Sequence, residues 1–248
     1  MALAALIVVT LFTIGGSLWV RRMTWSCSSE RAATLNIALQ GAAVALMSPW
    51  ASEHIGRPLH SLTGQWNIED WIAHDLYIVA ASAIVLNAVS QLSGYTQARF
   101  RRDIELPATL CIPVLFVTFS LGTGSEVYRA DFFRVPTDAW LTAYWVALCG
   151  MLIHLLWYGY RALIPLRHAS GSHAIATVYS LSALSGMAAC VVRVVTAVAL
   201  PGDAQDTFWA SFVVWLLACV CGAGFAAMSA KRWRDREAWF SRAPIHHP

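Results

Sequence analysis

Seven stretches of the chain run for 20 residues or more without an Asp, Glu, Lys or Arg: 1–20, 32–52, 76–98, 106–125, 139–160, 168–192 and 207–230. About 20 apolar residues rising 1.5 Å each cross the hydrocarbon of a bilayer, so every stretch has the length of a membrane helix. Only 12% of the 248 residues are charged and 58% are apolar or aromatic, whereas a soluble domain carries roughly 25% charged residues. A soluble enzyme, a nucleic-acid binder and a disordered chain are excluded. The pattern predicts an all-α membrane protein, a seven-transmembrane-helix bundle in one domain, 1–230. Its spans fall at about 2–20, 32–51, 70–92, 106–122, 138–161, 174–200 and 207–230, followed by a short basic tail at 231–248.

The basic residues between the spans set the orientation. Segments 21–31, 93–105, 161–173 and the chain after 230 hold 13 Lys and Arg, whereas 53–70, 123–138 and 201–206 hold 3. Positive charge concentrates on the cytoplasmic side, which predicts the N-terminus outside, the C-terminus cytoplasmic, and a multi-pass location in the plasma (inner) membrane. The first span has no basic residue ahead of it and its arginines, Arg21 and Arg22, follow it. That is the reverse of a signal peptide, and a retained helix is expected. The six cysteines lie in spans or, for Cys27, in a cytoplasmic loop, so no disulfide framework is implied and small packing residues are expected.

Along the chain, the second span ends at Ser48-Pro49-Trp50 and a long outer loop, 52–69, follows. Pro107 and Pro113 predict a kink in the fourth span. Trp and Tyr at the two ends of the fifth span fit interfacial belts. From residue 230 the sequence AKRWRDREAWF is basic and amphipathic, and is expected to lie along the cytoplasmic surface. Lys231, Arg232, Arg234 and Arg236 would there contact anionic lipid.

Charged and polar groups inside spans are costly and usually face the bundle interior. Arg193 lies about seven residues from the outer end of the sixth span and Asp75 about five residues into the third, both roughly 7–10 Å below the outer surface. Matching depth predicts an Arg193–Asp75 pair, either a static ion pair or part of an outward-facing polar site with His74, Gln40 and Asn87; the alternative is an Arg193 that snorkels to the outer headgroups. Glu69 and Asp70, a turn shallower, are expected to be wetter. His74 and His154 invite a haem reading, but their depths differ by about 15–20 Å, so they cannot clamp one haem. No cofactor and no metal site are expected.

Seven helices with the N-terminus outside is the topology of rhodopsins, but retinal needs a lysine within the last span. The only lysine here, Lys231, lies at its end. Small transporters with Pro-Gln repeats share the topology, yet no Pro-Gln dipeptide occurs. No hydrolase, zinc or phosphate-loop motif is present, and no enzymatic activity is expected. The run Gly56-Arg57-Pro58 leading to Asn67-Ile68-Glu69-Asp70-Trp71-Ile72-Ala73-His74-Asp75 resembles the seven-helix membrane half of an actinobacterial and actinophage family of transporters or integral membrane proteins. The resemblance implies the same seven-helix fold and supplies no catalytic residues. Members often continue into a cytoplasmic domain, to which nothing after residue 230 corresponds.

Two function classes lead, and a third is the enzyme alternative. The polar groups inside the spans and the proline-containing fourth helix favour small-solute transport, with an unknown small-molecule ligand. The extended outer loop and basic tail favour a membrane sensor or regulatory protein. A haem or quinone oxidoreductase subunit is the enzyme alternative, and oligomeric state is left open.

Overall fold

In a bilayer every backbone N–H and C=O must find its partner within the segment, so apolar runs of this length fold as helices. The computed structural model describes residues 1–89, 96–164 and 173–242, and every regular element among them is helical. The main helices are α1 (Ala2–Val20), α2 (Ser28–Leu46), α3 (Pro49–Thr63), α4 (Ile68–Val89), α5 (Gln97–Ser120), α6 (Ala139–Leu163), α7 (His173–Ala199) and α8 (Phe208–Arg242). Residues 90–92 of the third expected span, and with them Arg167, His246 and His247, lie outside the described residues.

Six of these helices, α1 and α4 to α8, are each long and apolar enough to cross a membrane; α2 with α3 makes a seventh if that bent pair is one span. The bend is 60°. It falls where Pro49, which cannot donate a backbone hydrogen bond, opens a new helix and the Ser48 hydroxyl caps it by accepting from Ala51 N at 3.2 Å. The stretch read from sequence as a long outer loop is therefore mostly helix. It includes a π-helical turn at Ser52–Gly56 and stops at Gly64, whose φ of 75° a side chain would oppose.

Two further elements differ from the sequence reading. The fourth span starts well before Pro107, at Gln97, and passes through a π-helical turn at Arg101–Glu105. The basic segment after residue 230 continues α8 without a break to Arg242, so the whole helix is 35 residues long. No Gly or Pro interrupts 225–242, and Lys231 Nζ holds Asp235 one turn on at 2.9 Å.

Helices α2, α4, α6, α7 and α8 pack in a closed ring, each against the next. Outside it, α1 fills the groove between α8 and α2, and α5 packs on α6 and α4. Side chains on the outer surface are apolar: Val9 and Phe12 of α1, Leu110 and Val117 of α5, Val195 and Val198 of α7 are all exposed. The interior is the more polar side, holding Gln40, Asp70, His74 and Arg193. That inversion is the arrangement a lipid solvent demands. Exposed tryptophans mark both rims, with Trp50, Trp140 and Trp209 at the end of the bundle where Met1 lies and Trp19, Trp25 and Trp157 at the opposite, basic end. From Trp140 to Trp157 along α6 is about 25 Å, close to the thickness of bilayer hydrocarbon.

Candidate functional site

At the Met1 end the segment 121–138 folds back over the mouth of the ring. Asn67, in the left-handed region at φ 56°, donates its amide to Gly124 O at 2.7 Å and Val127 O at 2.9 Å and so ties the segment to the start of α4. Asp131 accepts from the Ser211 hydroxyl and, at 3.2 Å, from Trp215 Nε1 on α8. These contacts press Phe132 and Phe133 into the interior against Trp145, where an aromatic cluster closes the bundle from that side.

Beneath the cluster is a cavity of about 100 Å³ lined by all five ring helices. Its walls are mostly apolar, and its polar lining comes from Gln40, His74, Tyr77 and Arg193. Arg193 is 2% exposed. Its guanidinium lies over the Trp145 ring, 4.2 Å from the centroid, and Nη1 donates to Thr196 Oγ1 at 3.3 Å. Nε and Nη2, the other edge of the guanidinium, have no hydrogen-bond partner. A desolvated cation–π contact contributes about 2 kcal/mol, while each unsatisfied buried donor costs about 1–3 kcal/mol.

His74 points to the same interior. Its Nδ1 is 2.7 Å from the Tyr144 hydroxyl, and its ring packs edge-on against Trp145 at 5.1 Å. His74 and Arg193 are each the seventh helical residue from the Met1 end, in α4 and α7 respectively, and Tyr144 is the sixth in α6. Depth alone thus brings these three groups into one layer.

The expected pair of Arg193 with Asp75 is not formed. Successive residues on a helix are turned by about 100°, so with His74 facing the cavity Asp75 is directed elsewhere. Half-buried, it acts electrostatically on Cys111 of α5 and Tyr144, and its Oδ1 has no hydrogen-bond partner. Glu69 and Asp70, expected to be wetter, are both fully buried. Capped by the bent helix above, the Glu69 carboxylate abuts Gly56, where any Cβ would collide with it. Both acids sit in the first turn of α4, where the helix dipole favours negative charge.

Gln40 reaches the cavity from α2, donating to Asn36 Oδ1 at 2.7 Å. Asn87 does not. It lines a second, more polar cavity of about 300 Å³ towards the basic end, with Asn36, Tyr179, Ser229 and Arg232. Ile84 lines both cavities, and Leu156, Cys221 and Phe225 pack beside it as an apolar partition. Cys149, Cys190 and Cys221, expected only as packing residues, have free thiols in the wall of the central cavity. His154 is engaged away from the cavity, with Nε2 2.9 Å from Asp103 O.

Of the four tail residues assigned to lipid, Arg236 pairs with Glu30 at 3.0 Å and Lys231 with Asp235. Arg232 lines the second cavity and Arg234 is exposed. Glu30 also holds Arg21 at 2.9 Å in a buried pair, so the end of α8 is tied to the start of α2.

Apolar exterior, polar interior and tryptophan rims define a multi-pass, all-helical integral membrane protein in contact with lipid. Comparison with family models, curated proteins and solved structures gives no match to the chain.

Proposed function

We propose that this chain crosses the plasma membrane seven times, with Met1 outside and the end of α8 in the cytoplasm, and carries a small solute rather than catalysing a reaction. In this reading α2 and the first residues of α3 together make the second crossing, and the rest of α3 lies across the outer face. The relationship to the actinobacterial and actinophage transporter family belongs to the same proposal. The observation that carries it is the pair of cavities stacked along the ring axis, separated by little more than Ile84 and its apolar neighbours. A site at mid-bundle with one thin barrier to each side is what alternating access requires. The aromatic cluster on Phe132 and Phe133 forms the outer barrier and the Ile84 partition the inner one. On the cytoplasmic face, Arg234 and the exposed part of Arg232 remain for anionic lipid headgroups.

A loss assay tests this with the solute still unidentified. Proteoliposomes preloaded with a mixture of small organic solutes should lose at least one of them faster than vesicles carrying an Ala189→Phe variant, whose cavity is filled. Equal retention of every solute by the two preparations contradicts transport.

A further inference from the structure

One edge of the Arg193 guanidinium is unpartnered and closed off by packed side chains, so a ligand reaches it from the adjoining cavity only when those side chains shift. Nη1 is occupied by Thr196, whereas Nε and Nη2 are unpartnered in a residue 2% exposed. Nε–H and Nη2–H are parallel donors on one edge, the fork that receives both oxygens of a carboxylate. Among the described residues no acid forms an ion pair with Arg193: Asp131 is near enough for its charge to act on it, but the Asp131 oxygens are taken by Ser211 and Trp215. The positive charge in the cavity wall therefore lacks a counter-ion in contact. Apart from Gln40, His74, Tyr77 and three thiols, the remaining wall is mostly hydrocarbon, including Leu148, Ala189 and Val214. At about 100 Å³ the space is smaller than the ~150 Å³ in which a dry cavity holds benzene.

Resting on the transport reading, we infer that the solute is a short-chain monocarboxylate, its carboxylate on the Nε/Nη2 edge of Arg193 and its hydrocarbon body against Leu148, Ala189 and Val214. Charge selects the anion, the planar fork selects carboxylate over a spherical ion, and the volume limits the whole solute, carboxylate included, to about three to five non-hydrogen atoms. Trp145 stacks on a face of the guanidinium and leaves the Nε/Nη2 edge unoccupied, so it is a positioning residue.

Calorimetric titration of the purified full chain with propionate, and with propionamide as its uncharged isostere, tests this. Propionate should saturate the wild-type protein, propionamide should bind at least tenfold more weakly, and benzoate should fail to enter. Arg193→Lys, which keeps charge without the fork, should weaken propionate binding severalfold, and Arg193→Gln should abolish it. Should Arg193→Gln not fold, Ala189→Phe supplies the control: it fills the cavity with Arg193 intact and should also abolish binding. Equal binding of propionamide overturns the anion assignment, and equally strong displacement by chloride overturns the carboxylate one. Absence of propionate binding, with solutes still exchanged by proteoliposomes, overturns the inference and leaves transport standing. Absence of all exchange removes transport whatever propionate does.

Discussion

Arg193 and Asp75 show what a sequence can and cannot say about single residues in a membrane helix. Depth is legible, because each residue adds about 1.5 Å along the axis, and counting places Arg193 in one layer with His74. Azimuth is not, since it depends on how each helix is rotated against its neighbours, and the neighbour on the chain, Asp75, sits about 100° away from the cavity. Tyr144 and Trp145, which hold the two cavity groups, were legible only as members of an aromatic-rich span; their count from Asp138, the N-cap of α6, was the available signal. Because Asp75 and Arg193 do not touch, the effects of Asp75→Asn and Arg193→Gln on thermal stability in detergent should add to within about 0.5 kcal/mol. Tyr144→Phe, which strips His74 Nδ1 of its partner, should cost about 1–3 kcal/mol. Its effect should shrink in a His74→Phe background, and undiminished loss there would show that the two rings are not coupled.

At the scale of elements, most helices were readable from charge-free runs, but their breaks and ends were not. Pro49 marks the break in the second span, yet nothing in composition distinguishes a helix lying across the mouth of the bundle from a polar loop. The continuity of α8 past residue 230 follows from the absence of a breaker, and the Arg236–Glu30 pair that ties it down joins residues 206 apart in sequence. Where helices meet, small residues decide the approach. A Cβ on Gly186 of α7 would stand 2.8 Å from both Cys221 Sγ and Leu156 Cδ1. Gly186→Ala should therefore destabilise the bundle by about 1–3 kcal/mol, the usual effect of overpacking. At the basic end, Glu30→Gln leaves the buried Arg21 without its acid, an error that costs about 3–5 kcal/mol in buried pairs. Arg21 keeps Ser229 O at 3.1 Å and Thr34 Oγ1 at 3.1 Å, so the lower part of that range is expected, read as a shift in the detergent melting temperature. No shift would mean that water reaches the pair.

For the whole molecule, the inversion of polarity is the governing fact: hydrocarbon outside, and two arginines, a histidine and three carboxylates buried within. Sequence hydropathy foretold a membrane bundle but not that five helices would enclose a cavity while α1 and α5 stayed on its outside. Transport requires that cavity to be reached from either face in turn. The most direct measurement uses a chain in which Cys190, in the cavity wall, is the sole cysteine, reconstituted in vesicles of known orientation. Silver ion, a thiol-reactive probe small enough for the cavity, should react with it when added to either side, and Ile84→Trp, thickening the inner partition, should suppress reaction from the cytoplasmic side alone. Reaction from one side only, unchanged by Ile84→Trp, or from neither side, would contradict alternating access through the ring.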